Sequence, residues 1–212
     1  MASLMMTCVV AFSLLSPNTA HAEERLQLLV MGDSLSAAYN MERDQGWVAL
    51  LAERLENDVE VINASVSGET TSGGAQRFPE LLRQHEPDMV LLELGGNDGL
   101  RGLSPTQMHN NLADMIEQSL AINAEVILLG IDIPPNYGNA YRDAFKDVFT
   151  RLADQYDVPL LPFLLEGIAL NDNLMQSDDI HPKAEAQPMI VENVWPVLAP
   201  RVERQLAQQT AN

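Results

Sequence analysis

The chain has 212 residues, and its 12 Lys and Arg against 30 Asp and Glu leave a formal charge of -18. Such a field disfavours nucleic-acid phosphates and anionic membrane surfaces and favours solubility. The one cysteine, Cys8, lies near the amino terminus; beyond it no disulfide, thiolate nucleophile or Cys-based metal site is available, so the chemistry has to come from oxygen and nitrogen.

The first 22 residues read as a cleaved secretory signal. An apolar stretch from Leu4 to Leu15 gives way to Pro17 and Asn18 and then to Ala20, His21 and Ala22, a small-spacer-small arrangement suited to signal peptidase after Ala22. The apolar run is too short to span a bilayer comfortably, so no stable membrane insertion is expected after cleavage. Residues 23–212 are then expected to form one domain, since no repeat, low-complexity run or linker divides them.

In chain order, apolar runs alternate with segments of helical pattern. Strands are predicted at Gln27–Met31, Val59–Asn63, Met89–Leu94, Val126–Ile131 and Val158–Leu161, several apolar enough to be covered on both faces. Helices are predicted at 45–57, 74–85, 105–121, 139–155 and 183–207. The last opens after Pro182 and is expected to be kinked or broken by Pro188, Pro196 and Pro200. This alternation predicts an α/β fold, a parallel sheet with helices on both faces, in which ligands bind beyond the carboxyl ends of the strands. Four polar segments fall on that edge: GDSLS after the first strand, ASVSGET after the second, GGNDGL after the third and DDIHP late in the chain.

Ser34, in the first of these, becomes a nucleophile only if a base accepts its proton. Past the signal the chain holds three histidines. His85, in RQHEPD, suits a helix end, where its side chain complements the carbonyl dipole. His109 lies on a polar helix face, and both read as structural. His181 stands in SDDIHP, with Asp178 three residues before it and Asp179 two before. A turn brings the carboxylate of Asp178 against the imidazole, where it orients the ring and stabilises its protonated form. Asp179 is the local rival. Acyl transfer also needs donors for the oxyanion, and the candidates are the backbone N–H groups of Ser34 and Gly68 with the side-chain amide of Asn97. Asp33, Glu69 and Asp98 could suggest a metal, but carboxylates in tight loops more often cap helices, and no metal or other cofactor is expected.

In combination, GDSLS at 32–36, SGET at 67–70, GGND at 95–98 and DDIHP at 178–182 resemble the blocks of the SGNH, or GDSL, hydrolases, over essentially the whole chain past the signal. The resemblance implies a flavodoxin-like three-layer α/β/α sandwich around a five-stranded parallel sheet. It also implies a catalytic Ser34, His181 and Asp178, with an oxyanion hole from Ser34, Gly68 and Asn97. A mobile substrate-side loop at 99–105 and a rim segment at 133–138 follow from it as well. Glu69 and Asp179 stand where Asp and Gly are familiar in that family; both leave the reaction class unchanged and bear on rate and optimum pH.

The function implied is hydrolysis of carboxylic esters and thioesters through an acyl-enzyme. The expected partners are small-molecule acyl esters or thioesters and lysophospholipids, met by an apolar channel bordered by Leu100, Leu103, Ile133 and Pro134. A carbohydrate acetylesterase and a noncatalytic lipid-binding envelope protein are the alternatives. A monomer is expected, exported to the periplasm or, alternatively, secreted.

Overall fold

The computed structural model describes residues 25–55 and 58–210. The expected signal segment and Cys8 therefore lie outside the described residues. The sheet comprises β1 (Leu26–Gly32), β2 (Val59–Asn63), β3 (Met89–Glu93), β4 (Glu125–Leu129) and β5 (Leu160–Leu161). The main helices are α1 (Trp47–Leu55), α2 (Thr71–His85), a short α3 (Gly96–Leu100), α4 (Pro105–Ala121), α5 (Asn139–Tyr156) and α6 (Gln187–Gln209), with single 3-10 turns at Arg43–Gln45, Pro135–Tyr137 and Ala184–Ala186.

All five strands are parallel, in the order β2-β1-β3-β4-β5. Register places Leu28 beside both Val61 and Met89. The central strands read as continuous apolar runs because helices cover both faces: every residue of β3 is buried, including Glu93. On one side α1 packs against α6, and on the other α2, α4 and α5 pack in succession, completing the three-layer α/β/α sandwich. The backbone N–H of Trp47 donates to Gln187 Oε1 at 2.9 Å, joining the first turns of α1 and α6. The core runs through Leu28, Leu29, Met31, Leu91, Trp47, Phe78 and Phe145, all fully buried.

In this strand order the chain leaves β1 first toward one edge and later toward the other, so a crevice opens at the carboxyl ends of β1 and β3. GDSLS leaves β1 and GGND leaves β3 at that point.

The expected break in the last helix is corrected: residues 187–209 form one element. Pro188 lies in its first turn, where no intrahelical N–H is needed. Pro196 and Pro200 each remove one bond, but they lie out of phase with the buried stripe of Ile190, Val194, Leu198 and Val202, whose packing holds the helix together. The helix also opens later than predicted. Pro182 pairs with Met175 in an isolated antiparallel bridge, and the Ala184–Ala186 turn follows before α6 begins.

Candidate active site

Ser34 lies just past β1, in a turn where Ala37 N–H donates to Asp33 O and Tyr39 N–H to Ser34 O. Its Oγ is 2.8 Å from His181 Nε2, joining positions 147 residues apart. On the other side of the ring, His181 Nδ1 is 2.7 Å from Asp178 Oδ2. Asp178 Oδ1 also accepts the backbone N–H groups of Ile180 and His181, each at 3.0 Å, which closes the turn that aims the imidazole. Burial alone would raise the Asp178 carboxyl, but the His181 backbone N–H, the His181 ring and the Ile180 N–H outweigh it and hold the group below its ordinary value. A carboxylate only accepts, so Nδ1 carries the proton and Nε2 presents a lone pair to the Ser34 hydroxyl.

Asp179 makes no such contact with the ring. It occupies the left-handed region, with φ of 58°, within the turn where its N–H donates to Gln176 O. A glycine enters that conformation freely and an aspartate at some cost. The two local alternatives thus separate geometrically, with Asp178 on the imidazole and Asp179 shaping the backbone.

The oxyanion candidates converge on the same crevice. Asn97 stands in the first turn of α3, and its Nδ2 donates to Asp33 Oδ2 at 2.9 Å, leaving the second amide hydrogen for another acceptor. Gly68 has φ of 79°, a conformation that favours glycine, and its carbonyl accepts from Arg101 Nη2 at 2.9 Å. Among the described residues neither Ser34 N–H nor Gly68 N–H has a protein acceptor.

Buried carboxyls underpin these loops. Asp33 is 2% exposed and accepts from Leu35 N–H at 3.0 Å as well as from Asn97. Its burial pushes the carboxyl up to about 6, against the pull of the Leu35 and Asn97 hydrogen bonds and the His181 charge. Beneath it Glu93 Oε2 accepts from Ser36 Oγ at 2.7 Å and from Asp33 N–H at 3.2 Å. Burial and the nearby Asp33 hold the Glu93 carboxyl well above its ordinary value. Gly32 makes room for this arrangement, since a Cβ there would lie 2.7 Å from Glu93 Oε2. Asp98 accepts the N–H of Thr71 at 2.8 Å and so ties the GGND block to the start of α2. Glu69 pairs with Arg77, whose Nε lies 2.6 Å from its Oε2. The three carboxylates that could suggest a metal are each engaged by specific protein donors.

The expected channel residues divide. Leu100 and Pro134 are half-buried and Leu103 is exposed. Ile133 is 3% exposed and packs under α3, where a Cβ on Gly99 would come within 2.5 Å of its Cγ2. It supports the rim from below instead of lining an open surface. The 99–105 loop is held from the 133–141 segment by Tyr137 and Tyr141, whose hydroxyls donate to Leu100 O and Leu103 O, each at 2.7 Å. His85 ends α2 and His109 lies on α4, neither in contact with Ser34. A concavity formed by Pro79, Leu82, Asp88 and Ile122 opens at the amino ends of the strands, on the edge away from Ser34.

Sequence reasoning missed Glu93, Thr71 and Gln176. Glu93 left one signal, an acidic residue inside an otherwise apolar strand; Thr71 and Gln176 left none.

Residues 30–187 match the GDSL-like Lipase/Acylhydrolase family. The chain is 47% identical over 203 residues to esterase TesA of Pseudomonas aeruginosa, covering 94% of this chain and 99% of that protein. It is 46% identical over 175 residues to thioesterase 1/protease 1/lysophospholipase L1 of Escherichia coli K12, covering 82% and 84%. Among solved structures it resembles the psychrotrophic esterase EstA from Pseudoalteromonas sp., inhibited by monoethylphosphonate, with a TM-score of 0.80, 40% identity and coverage of 84% and 98%. A match over most of the chain, joined to relatives of this identity, places the protein: it belongs to the GDSL-like lipase/acylhydrolase family, the SGNH hydrolases, whose members include esterases and thioesterases.

Proposed function

We propose that this hydrolase cleaves carboxylic esters and thioesters through an acyl-enzyme formed on Ser34. The observation that carries the reading is the hydrogen-bonded series in which Ser34 Oγ lies 2.8 Å from His181 Nε2 and His181 Nδ1 lies 2.7 Å from Asp178 Oδ2. As the hydroxyl attacks the carbonyl carbon, its proton moves to Nε2 and the imidazolium is stabilised by Asp178. The N–H groups of Ser34 and Gly68 and the free amide hydrogen of Asn97 receive the oxyanion. The tetrahedral species then expels the alcohol or thiol, which takes the proton from Nε2. Water attacks the acyl-enzyme and gives its proton to the same nitrogen; the second tetrahedral species then collapses to the acid as Ser34 Oγ leaves and takes that proton back, which restores the starting enzyme. The proton moved in each half of the cycle passes through His181 Nε2, and the cycle calls for no cofactor.

The named activities of the relatives, esterase, thioesterase and lysophospholipase, define the substrate range to be tried. Leu100, Leu103 and Pro134 form the apolar side of the acyl path, with Ile133 beneath. Export with cleavage after Ala22 completes the reading, in which the periplasm is the site of action; among the described residues no helix is long and apolar enough to cross a membrane. Amino-terminal sequencing of the exported protein checks the cleavage.

The decisive experiment compares wild-type protein with a folded Ser34→Ala variant on p-nitrophenyl acyl esters, acyl thioesters and lysophospholipids. Loss of turnover on every substrate the wild type accepts is expected. Equal rates in the two proteins would remove Ser34 from the chemistry.

A further inference from the structure

Tyr39 has no part in the cycle above, yet its ring lies against that of His181, with centroids 4.2 Å apart and planes inclined by 30°. Core packing does not account for the placement, because Tyr39 is 43% exposed. The backbone fixes it instead. Its N–H donates to Ser34 O at 3.3 Å, and its carbonyl accepts from Gln176 Nε2 at 3.1 Å. Gln176 belongs to the histidine-bearing segment: its own N–H donates to His181 O at 2.7 Å, and its Nε2 also reaches Pro182 O at 3.0 Å. Asn40 Nδ2 closes the clasp by donating to Gln176 Oε1 at 3.0 Å. The segments carrying the nucleophile and the base are therefore stapled together on the side where the two rings meet.

An aromatic face attracts a cation far more than a neutral ring. His181 alternates between those two states in each half of the proposed cycle, so a ring resting against it favours one of them. The other groups around His181 are Asp178 on Nδ1, Ser34 on Nε2, the buried Asp33 whose charge reaches the imidazole, and Asp179 in the same turn. Lys183 is turned aside, its Nζ bonded to the carbonyls of Asp172 and Asn173 at 3.1 Å each. Asp178 and Ser34 fix the ring along its nitrogen axis, and Tyr39 bears on its face.

We propose that Tyr39 is a positioning residue, whose ring keeps the His181 imidazole in line with Ser34 and Asp178 and stabilises its protonated form. The proposal rests on the assignment of His181 as the general base. Only the ring is required, because the effect comes from the π face and not from the hydroxyl.

The test follows kcat/KM for a p-nitrophenyl ester against pH in wild type, Tyr39→Phe and Tyr39→Leu, with folding checked by thermal melting. Tyr39→Phe is expected to match wild type. Tyr39→Leu is expected to lose about three- to fivefold on the plateau. Its acid limb should also move to lower pH by roughly half a unit, because the imidazolium has lost a stabilising neighbour. A residue that merely props the loop would lower the rate at every pH and leave the limb in place. An unmoved limb in Tyr39→Leu, or a Phe variant as impaired as the Leu variant, overturns the proposal. Should the Leu variant not fold, Tyr39→Gln supplies the same comparison. Ser34→Ala run alongside separates the two readings: full turnover there sinks the parent assignment, whereas an inactive Ser34→Ala with an unmoved Tyr39→Leu limb sinks only the role of Tyr39.

Discussion

Asp98 accepts both the backbone N–H and the hydroxyl of Thr71, at 2.8 Å and 2.6 Å, across 27 residues of sequence. Asn111 Nδ2 completes the cluster by donating to Thr71 Oγ1 at 2.9 Å. Through this pair the loop carrying Asn97 is anchored to the helix that follows Gly68, so the two oxyanion candidates share one support. Removing the acceptor leaves a buried N–H without a partner. Asp98→Ala should cost about 1–3 kcal/mol in urea unfolding and lower kcat more than it raises KM. Unchanged stability would mean that the cluster does not hold the loops.

The tautomer argument predicts a large effect from a small change at Asp178. Asn can still accept the Ile180 and His181 N–H groups through its oxygen, but its amide then faces Nδ1 as a donor. The ring is driven to carry its proton on Nε2, where it cannot take the proton of Ser34. Asp178→Asn should reduce kcat by about 10³- to 10⁴-fold with an unchanged fold. Activity within a few fold of wild type would point to a different orienter.

Asp179 offers the opposite outcome, a variant expected to improve stability. Its φ of 58° suits glycine, and the side chain holds no bond to the imidazole. Asp179→Gly should raise stability by about 0.5–1 kcal/mol, net of the greater freedom glycine has in the unfolded chain. Thermal melting with parallel ester assays checks it. A lower melting temperature would mean that the aspartate contributes more than its backbone costs.

Glu93 makes stability depend on pH in a definite direction. Its folded-state carboxyl titrates well above the ordinary 4.5, so the native state holds the proton that the unfolded chain gives up. This contribution is complete below that ordinary value and is lost as pH rises toward the raised one. Asp33 adds the same sign between 3.8 and about 6. Glu93→Gln keeps an acceptor for Ser36 and removes one of the two titrations. The fall in melting temperature from acid to neutral pH should therefore be shallower in the variant. Parallel profiles would contradict this account.

Much of this was legible because the signals are local. The sequence predicts Val59–Asn63 with the bounds it has, since its apolar run is closed by turn residues on both sides. The Ser34, Asn97 and Asp178–His181 blocks each follow a strand or form a tight turn, so short motifs carried them. Several of the misses have their physical source in contacts distant along the chain. Thr71 begins α2 three residues before the predicted start at Gly74, because Thr70 caps Gly73 N–H and Asp98 captures Thr71 N–H. The glycines of Gly96–Leu100 read as a loop, although packing against Ile133 and Phe145 makes a short helix there. Only Leu160 and Leu161 of the fifth predicted strand pair with β4, and prolines at 159 and 162 flank them. Beyond its charge in an apolar strand, nothing near Glu93 announces what it holds, because Asp33 and Ser36 lie 60 and 57 residues away; Gln176 joins its neighbours His181 and Pro182 to Tyr39 and Asn40, 137 and 136 residues away.

Ser34 follows the first strand, and His181 comes after the last, separated by 147 residues. That separation gives the site a kinetic consequence. Loop closure over such a span is slow relative to the formation of individual helices. Hydrolysis should therefore reappear late when the unfolded chain is diluted from denaturant, behind the recovery of helical circular dichroism. Turnover then serves as a stopwatch for the final docking of the segments that carry Ser34 and His181, and a variant that delays that docking would lengthen the lag without altering the rate eventually reached.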